Sequence, residues 1–473
     1  MGPACDSRDT LREMIAAGMN VARLNMSHGD VDSHAATLRR IRHAAKSLDA
    51  SVAIMVDTSG REIRIGPLQA NKVVLERDQT YSLFDDERDA ERAGDAVGVS
   101  TTHPKLSAHV KSGDRILIDD GQIELIVTAA AAGEVQCRVE CGGLLYARKG
   151  VNLPGNRAVY DHLASGDDSR EIEFAAKHNA EYIAASFVRD ADDIAAIHEQ
   201  LRGLKVDGGA DIPVIAKIEN RDGVNNIARI IGAANGIMVA RGDLGIEMDM
   251  GEGPTIQKRI IRATVSSGKP VITATQMLDS MERNPRPTRA EVSDVANAIF
   301  DGTSAVMLSG ETAVGSRPVE AVRTMVQLAL EAEAGLKQYG YLQQINPSPS
   351  DEVTEAVAQA AITVAHHLNA AAIVALTETG LTSRLIAKYR PQSPILAITS
   401  SPQVVRRLAL NWGVFAVHYP HRRRGGADQD KVRFALQRAG ELGYVNAGDL
   451  VILTAGSSHQ AGSTNLIRVL TVD

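Results

Sequence analysis

The sequence predicts an α/β protein of two to four domains, built around a parallel barrel of strands and helices. Short apolar runs alternate with segments of helical spacing over much of the chain. Most of these runs end in polar residues, as the strands of parallel barrels do at one rim. Two stretches break the alternation, so we expect a small β-rich insertion and a separate carboxyl-terminal domain with an open α/β sheet.

Length and composition agree with this fold class. The chain has 473 residues, of which 44% are hydrophobic and only 3% aromatic, so small aliphatic side chains must fill the cores. A net charge of −7 argues against nucleic-acid binding. We find neither a membrane-spanning apolar run nor a secretory signal. Three cysteines suit a reducing cytosol, which predicts a cytoplasmic protein.

Seven apolar runs are the predicted barrel strands. They are Val21–Met26, Val52–Asp57, Tyr182–Phe187, Pro213–Glu219, Gly236–Arg241, Pro270–Gln276 and Ala305–Ser309. Before the first run, Thr10 and Glu13 form a predicted capping box, which opens a helix that Gly18 ends. A closed barrel of this type has eight strands, so one strand is not accounted for.

The predicted barrel is discontinuous, with residues 1–66 before and 154–342 after a β-rich insertion at 67–153. Inside the insertion, two apolar runs around Asp120 and Gly121 predict a hairpin over Ile116–Leu125. In the same region Cys137 and Cys141 lack a second pair of metal ligands, so we expect buried thiols. The carboxyl-terminal domain is predicted at 350–473, after a linker. Its predicted strands are Ala372–Leu376, Pro394–Thr399, Val414–His418 and Asp449–Leu453.

Two strings near the middle of the chain carry candidate chemistry. Lys217 and Glu219 alternate on one predicted strand, so their side chains share a face. Asp243 follows the next strand and is expected beside Glu219 at the same rim. Two carboxylates and an ammonium group could hold Mg²⁺ and a phosphoryl group. The alternative, which these two strings leave equally open, is an ion pair that closes the barrel mouth.

A third set of strings decides between these alternatives. It runs from Gly268–Leu278 through Asn284–Glu291 to Ala305–Thr312. With these strings the chain resembles the pyruvate kinase family over nearly all its residues. The resemblance implies phosphoryl transfer from phosphoenolpyruvate to ADP, which gives pyruvate and ATP in the last step of glycolysis. It also implies Mg²⁺ or Mn²⁺ and K⁺ as cofactors, a phosphorylated allosteric effector and a homotetramer.

The resemblance assigns expected roles at the barrel rim. Arg23 and Lys217 contact the transferred phosphoryl group, and Glu219 and Asp243 hold the divalent metal. The substrate carboxylate is bound by backbone N–H groups at Gly242 and Asp243 and by the Thr275 hydroxyl. Residues expected near the path of the proton to the enolate are Thr275, Ser309 and Glu311. Without the resemblance, Thr275 and Ser309 could be simple strand-end caps.

The resemblance also implies cation, nucleotide and effector sites. The expected K⁺ ligands are Asn25, Ser27, Asp57 and Thr58, although a hydrogen-bonded strand-end cluster is the alternative. Glu62 stands where relatives that do without K⁺ carry a lysine, so we expect K⁺ dependence. The expected nucleotide-binding residues are Asn25, His28, Arg64 and Lys149. The expected effector loop contains Thr377, Thr379, Gly380 and Thr382, whose alternative is an ordinary helix cap. His421–Arg424 could add cations to that loop or be solvated.

The missing strand leaves other functions open. By resemblance, the first barrel strand precedes a turn like Met1–Cys5, so either the start was assigned late, which we favour, or the barrel has an open seam. A catalytically impaired, effector-binding homologue with an incomplete barrel is therefore the main alternative function. A metal-dependent aldolase of enolpyruvate chemistry is a third, which Lys149 and the expected cation site disfavour.

Overall fold

The structure is a computed structural model. It describes residues 1–60, 63–85, 95–119, 121–131, 133–156, 168–204, 211–249, 251–340, 352–420, 427–456 and 464–473.

The described strands, in chain order, are β1 (Val21–Asn25), β2 (Ala53–Asp57), β3 (Ile63–Arg64), β4 (Lys72–Leu75), β5 (Thr80–Phe84), β6 (Gly98–Ser100), β7 (Arg115–Ile118), β8 (Ile123–Ala131), β9 (Glu134–Cys141), β10 (Gly143–Tyr146), β11 (Gly150–Asn152), β12 (Tyr182–Ala185), β13 (Val214–Ile218), β14 (Gly236–Ala240), β15 (Val271–Ala274), β16 (Ala305–Val306), β17 (Ala372–Leu376), β18 (Ile395–Thr399), β19 (Val414–His418), β20 (Leu450–Gly456) and β21 (Thr464–Thr471).

The described α-helices are α1 (Arg8–Ala16), α2 (Val31–Ser47), α3 (Asp168–Lys177), α4 (Ala191–Gly203), α5 (Arg221–Asn225), α6 (Ile227–Ala233), α7 (Arg241–Glu247), α8 (Gly253–Ser266), α9 (Arg289–Phe300), α10 (Gly310–Ala313), α11 (Pro318–Ala334), α12 (Leu336–Tyr339), α13 (Val353–Leu368), α14 (Leu381–Lys388), α15 (Pro402–Leu408) and α16 (Ala427–Glu441). In the described parts of the chain, no helix is both long enough and apolar enough to span a membrane.

The first sheet confirms the predicted barrel. Seven parallel strands lie in the order β1-β2-β12-β13-β14-β15-β16, and Asn25 pairs with Asp57 where β1 and β2 end. Apolar side chains fill both faces: one set points to the barrel interior and another packs under the helices. Several strands end earlier than predicted, most of all the last, which stops at Val306 instead of Ser309.

The two edge strands of this sheet, β1 and β16, are not paired with each other in the described structure. Every residue of the five inner strands is buried. By contrast, Val21, Arg23 and Asn25 of β1 and both residues of β16 are only half-buried. The interior of the sheet is therefore accessible along this one edge.

The first helix begins earlier than predicted. Ser7 is its N-cap and accepts a hydrogen bond from the Thr10 backbone, so Thr10 lies inside the helix. The predicted capping box at Thr10 was wrong because Ser7 offers the same hydroxyl one turn earlier, at a position with extended backbone.

The inserted β domain is a seven-stranded mixed sheet in the order β3-β11-β7-β8-β9-β5-β6, with β4 and β10 as a separate pair. Antiparallel β7 and β8 confirm the predicted hairpin. An isolated bridge between Ile65 and Thr101 joins the two ends of the sheet, which curls it into a small barrel. The prediction of two buried thiols was half wrong, since Cys137 is buried and Cys141, at the end of β9, is exposed.

The carboxyl-terminal sheet has the order β19-β18-β17-β20-β21. Its first four strands were predicted and are parallel, whereas β21 is an antiparallel edge strand that was not predicted. Several contacts join this domain to the barrel. Leu410 packs on the interior core of the barrel, and the Tyr182 hydroxyl donates to the Arg407 carbonyl oxygen at 2.6 Å.

Candidate active site

Charged side chains converge at the carboxyl-terminal rim of the barrel, where β1, β2 and β13 end. Arg23 projects from β1, Asp57 ends β2, Lys217 lies on β13 and Glu219 follows it. The register of the parallel strands brings these positions to the same rim. We call these four residues the rim cluster.

The rim cluster is a buried chain of alternating charges. The Lys217 ammonium nitrogen lies 3.0 Å from a carboxylate oxygen of Asp57 and 3.0 Å from one of Glu219. The Arg23 guanidinium donates to the other Asp57 oxygen. Asp57 is fully buried and Glu219 almost so. Two cations and two anions therefore balance one another in a site with little water.

The neighbouring charges keep both Asp57 and Lys217 ionised. Burial alone would raise the pKa of Asp57, but the charges of Arg23 and Lys217 outweigh burial and hold the pKa below its ordinary value. Burial would likewise lower the pKa of Lys217, yet the carboxylates of Asp57 and Glu219 raise it above its ordinary value. Lys217 is therefore a permanent cation at neutral pH.

Ser186 was not predicted from the sequence, and it connects the rim cluster to the end of β12. Its hydroxyl accepts from the Lys217 ammonium at 2.7 Å and donates to the Thr58 carbonyl oxygen at 2.6 Å. The backbone N–H of Phe187 donates to the free oxygen of Glu219 at 2.6 Å. Ser186 directly follows β12, so the rule that site residues follow barrel strands could have found it.

Thr275 takes an unusual backbone conformation just after β15. Its φ is +66°, in the left-handed region that β-branched residues strongly avoid. This turn places the Thr275 hydroxyl where it accepts a 2.9 Å hydrogen bond from the backbone N–H of Gly242, at the start of α7. Arg241 fixes the turn from the other side, donating to the Thr275 carbonyl oxygen at 2.6 Å. The structure thus brings two of the predicted carboxylate-binding groups together.

Glu311 and Ser309 are close to each other but differ in their surroundings. The buried Glu311 carboxylate accepts from the backbone N–H of Leu278 at 3.0 Å and of Ser309 at 2.7 Å. Both oxygens thus hold the loops after β15 and β16 in place. Among the described residues, the buried Ser309 hydroxyl has no hydrogen-bond partner. A buried hydroxyl without a partner is unusual, and it is available to a ligand or water.

The predicted divalent-metal ligands are Glu219 and Asp243. Asp243 is half-buried in the first turn of α7, the helix that follows β14, while Glu219 follows the neighbouring β13. The described part of the chain contains no group of three or more acidic, histidine or cysteine side chains suited to a metal. Two carboxylates fit Mg²⁺, which takes few protein ligands and completes its shell with water and phosphate oxygens.

The predicted K⁺ ligands lie on the paired ends of β1 and β2. The Asn25 side-chain oxygen accepts from the Ser27 backbone at 3.2 Å, and the Thr58 carbonyl oxygen accepts from Ser186. Amide, hydroxyl, carbonyl and carboxylate oxygens suit a hard cation. These same contacts make the hydrogen-bonded strand-end cluster that was the alternative prediction. Glu62, on which the K⁺ expectation also depends, lies outside the described residues.

The predicted nucleotide-binding residues are spread over two domains. In the β domain, Lys149 lies 2.8 Å from an Asp119 carboxylate oxygen, and Arg64 donates to the Arg148 carbonyl oxygen at 3.0 Å. On the barrel, His28 is exposed beyond β1, close to Asn25. Lys149 is therefore paired within its own domain with Asp119, a contact that was not predicted from the sequence.

The predicted effector loop begins α14. The Thr377 hydroxyl accepts from the Gly380 backbone at 2.9 Å, and Gly380 has a φ of +80°. Thr382 is buried and its hydroxyl lies 2.6 Å from the Thr464 hydroxyl. Thr379 contributes its carbonyl oxygen to Arg384 at 3.3 Å. The side chains of Thr377 and Thr382 thus make internal contacts. His421–Arg424, which could add cations to this loop, lie outside the described residues.

Comparisons with known proteins assign the whole chain to one family. Residues 1–322 match the family domain described as pyruvate kinase, barrel domain, and residues 355–470 match pyruvate kinase, alpha/beta domain. A relative named pyruvate kinase from Geobacillus stearothermophilus is 46% identical over 99% of this chain and 78% of its own length. One from Clostridium acetobutylicum is 41% identical over 100% of this chain and 98% of its own. Another from Staphylococcus aureus is 44% identical over 99% of this chain and 79% of its own.

Proposed function

The chain belongs to the pyruvate kinase family, and we propose that it transfers the phosphoryl group of phosphoenolpyruvate to ADP, giving pyruvate and ATP. This is the activity of an ATP:pyruvate 2-O-phosphotransferase. The observation that carries the proposal is the rim cluster, in which Lys217 is held as a buried cation between Asp57 and Glu219. The full-length relatives are the second support.

Phosphoryl transfer spreads negative charge over the phosphoryl oxygens, and preorganised cations stabilise that charge. Arg23 and Lys217 are the cations of the rim cluster. Asp57 orients both, because each of its oxygens is bound by one of them. The buried setting strengthens these interactions, since the local dielectric constant is lower than that of water. We therefore assign phosphoryl stabilisation to Arg23 and Lys217, and positioning to Asp57 and Ser186.

The carboxylate of the substrate would bind at the start of α7. The backbone N–H of Gly242 and the Thr275 hydroxyl already face each other at 2.9 Å. The N–H groups of Gly242 and Asp243 both lie in the first turn of α7, the end of a helix that binds anions. A substrate carboxylate would replace the Thr275 oxygen as acceptor. Thr275 would then donate its own proton, which now goes to the Ala274 carbonyl oxygen at 2.7 Å.

Glu219 and Asp243 would hold Mg²⁺ or Mn²⁺, which supplies positive charge to the substrate and phosphoryl oxygens. Asn25, Ser27, Asp57 and the Thr58 carbonyl oxygen would hold K⁺, which adds positive charge beside the phosphoryl group. Asp57 is engaged by Arg23 and Lys217. Any cation there would therefore have to share its carboxylate with these residues.

After transfer, the enolate must be protonated. We assign the proton path to the neighbourhood of Thr275 and Ser309. Ser309 is supported by its buried hydroxyl, which no described group binds. Glu311 is tied to two backbone N–H groups, so it acts by positioning the Ser309 loop.

The nucleotide would bind between the barrel rim and the β domain. His28 and Asn25 would line the barrel side, and Arg64 and Lys149 the opposite side. To reach the nucleotide phosphates, Lys149 would exchange the Asp119 carboxylate for them. That exchange costs free energy, because the ion pair between Lys149 and Asp119, at 2.8 Å, must first be broken.

We further propose the wider setting that the family suggests. The protein would act in the cytoplasm as a homotetramer. Each subunit would have a barrel from residues 1–66 and 154–342, a β domain from 67–153 and a carboxyl-terminal domain from 350–473, although β3 already pairs within the β-domain sheet. A phosphorylated effector would bind the loop that contains Thr377–Thr382. The loop supports this proposal by its place before α14 and by the exposed Thr379, whose hydroxyl could donate to a phosphate.

A coupled assay of pyruvate formation tests the proposed function. Purified protein with phosphoenolpyruvate, ADP, Mg²⁺ and K⁺ should form pyruvate and ATP in equal amounts. Removing Mg²⁺ should abolish turnover, and replacing K⁺ by tetramethylammonium should reduce it strongly. A folded protein that binds phosphorylated effectors but forms no pyruvate would instead support the effector-binding alternative.

A further inference from the structure

Arg390 of the carboxyl-terminal domain reaches across to the barrel. It lies just after α14, only 6% exposed, with a left-handed φ of +50°. Its guanidinium donates to the Gly302 carbonyl oxygen at 2.6 Å and to the Ser304 hydroxyl at 3.3 Å, in the loop that leads into β16. The same hydroxyl accepts from the Val271 backbone N–H at 3.2 Å, where β15 begins. One arginine thus connects the carboxyl-terminal domain to the starts of two barrel strands.

Arg390 also packs on the aromatic ring of Trp412. The guanidinium carbon lies 4.9 Å from the centroid of the indole ring, within the range of a cation–π interaction. The indole N–H in turn donates to a carboxylate oxygen of Glu333, on α11, at 2.9 Å. The place of the guanidinium is therefore set by a ring that α11 holds in position.

The charge of Arg390 is buried without a paired anion. In the described part of the chain, no carboxylate forms an ion pair with its guanidinium. Burial lowers the pKa of Arg390 to about 9, and the charge of Glu333 opposes this shift without cancelling it. A buried charge is costly unless it is paired, and apolar side chains of similar size often serve stability as well or better. The arrangement therefore points to a role beyond stability.

The strand next to this loop is short and depends on contacts at both of its ends. β16 has only two residues, and both are half-buried. After the strand, the Glu311 carboxylate accepts from the Ser309 backbone N–H at 2.7 Å. Before the strand, Arg390 holds the loop. The place of the buried Ser309 hydroxyl, which has no partner among the described residues, therefore depends on both contacts.

We propose that Arg390 is a positioning residue for protonation of the enolate, because it fixes the loop before β16 and thereby places the Ser309 hydroxyl. Arg390 contacts the start of β16, whereas Ser309 follows its other end, so Arg390 acts through Ser309 and not on the reacting atoms. The inference rests on the proposed function, in which Ser309 belongs to the proton path. It adds one side chain of the carboxyl-terminal domain to the groups that set the rate of that step.

Two measurements separate the proton step from phosphoryl transfer. Initial rates of pyruvate formation give kcat and the KM values. Incubation of the enzyme with pyruvate, ATP, Mg²⁺ and K⁺ in D₂O reports the proton step, because a methyl C–H bond breaks, a C–D bond forms and pyruvate is otherwise unchanged. Proton NMR follows the loss of the methyl signal. The variants are Arg390→Lys, which keeps the charge but loses the planar fork of donors, and Arg390→Met, which loses both.

We expect both variants to lower the exchange rate about 10- to 100-fold, as a small displacement of a catalytic group can do. The KM values for phosphoenolpyruvate and ADP should stay within about twofold of the parent, because no group that binds them is removed. In a Ser309→Ala background, Arg390→Lys should cause almost no further loss, since the hydroxyl that it positions is absent. The matched control is Arg433→Met, which removes an exposed ion pair with Asp430 on α16 and should behave as the parent.

Independent losses in the double variant would overturn the inference, because they would show that Arg390 does not act through Ser309. Exchange at the parent rate in Arg390→Lys, with folding confirmed by circular dichroism, would overturn it as well. Ser304→Ala is a mild second variant that removes one acceptor of Arg390, and it should slow exchange about threefold. A rate unchanged by Ser304→Ala would count against the inference even if neither arginine variant folded. A parent protein that forms no pyruvate would instead overturn the proposed function, and with it the step that Arg390 assists.

Discussion

At the scale of single residues, Lys217 is the centre of the site. It is the only group of the rim cluster that touches both buried carboxylates, each at 3.0 Å. Without it, Asp57 and Glu219 would retain one cation between them. Its removal should therefore affect phosphoryl stabilisation and folding together.

We predict that Lys217→Met lowers kcat roughly 10²–10³-fold or more, as the loss of a preorganised charge does in other enzymes. The assay is initial-rate kinetics, with circular dichroism to confirm folding. The matched control is Lys177→Met, whose exposed ion pair with Glu173 lies on α3 away from the rim. Turnover of a folded Lys217→Met protein within threefold of the parent would contradict the assignment.

The pKa of Asp57 predicts an acid limb of stability. Because this pKa is lower in the folded than in the unfolded state, ionised Asp57 stabilises the protein above an unfolded pKa of about 3.9. That stabilisation is lost as the pH falls further, through the folded value. Urea unfolding between pH 6 and 3 should show a weaker loss of stability on acidification in Asp57→Asn than in the parent. If the free energy of unfolding fell equally with pH in both proteins, Asp57 would contribute nothing to the acid limb.

Sequence and structure agree on some residues for a clear reason. Lys217 and Glu219 could be placed on one face because strand alternation is a local property. The hydrogen bond between Ser186 and Lys217 and the pairing of Lys149 with Asp119 could not be foreseen in the same way. The first depends on which strand lies next to β13, and the second on how the β domain folds against itself.

At the scale of elements, the site depends on how the barrel strands end. Phe187 and Thr275 both have positive φ just after a strand, at 54° and 66°. Such conformations cost energy in residues other than glycine and tend to cluster at functional sites. The predicted strands were too long at these ends, because apolar patterning does not reveal a left-handed residue.

The turn at Thr275 gives a prediction in which two variants differ in stability but share the same loss of activity. Thr275→Gly should be more stable than Thr275→Ala by about 1–2 kcal/mol, since glycine tolerates the left-handed region. Both variants lose the hydroxyl that faces Gly242, so both should have a raised KM for phosphoenolpyruvate. Urea unfolding and kinetics measure the two effects. Thr275→Ser is the control for the hydroxyl, and equal stability of the glycine and alanine variants would argue against strain.

At the scale of the whole molecule, a buried carboxylate joins the barrel to the carboxyl-terminal domain. Glu181 is fully buried just before β12 and accepts from Arg42 of α2 at 2.7 Å. It also accepts from Arg406 of α15 at 2.6 Å and from the Ile54 backbone at 2.7 Å. One side chain thus connects three elements and two domains.

We predict that Glu181→Gln lowers the free energy of unfolding by about 2–3 kcal/mol. Breaking a fully buried ion pair costs about 3–5 kcal/mol. The loss here should be at or below the low end of that range, because both arginines are partly exposed. Urea unfolding measures the change. Glu173→Gln, which removes an exposed pair on α3, should cost less than about 0.5 kcal/mol. Similar losses in both variants would show that Glu181 does not hold the domains together.

The overall architecture could be predicted because alternating strands and helices are visible in the sequence. Edge strand β21 was missed because its exposed and half-buried residues give it no continuous apolar run. The interface through Glu181 and Leu410 could not be foreseen, since it joins residues more than 200 positions apart. A late-assigned start and an open seam both predict the unpaired edges of β1 and β16, so the explanation of the missing strand stays a prediction.

The central claim is that the rim carboxylates and Lys217 form a metal-assisted phosphoryl-transfer site. The most direct test is the Mg²⁺ dependence of pyruvate formation by Glu219→Gln, which keeps an acceptor for the Phe187 N–H but removes the charge. We predict that half-maximal activity needs at least about tenfold more Mg²⁺, or that turnover is lost, while the exposed control Glu252→Gln behaves as the parent. Unchanged turnover and unchanged Mg²⁺ dependence in Glu219→Gln would contradict the account.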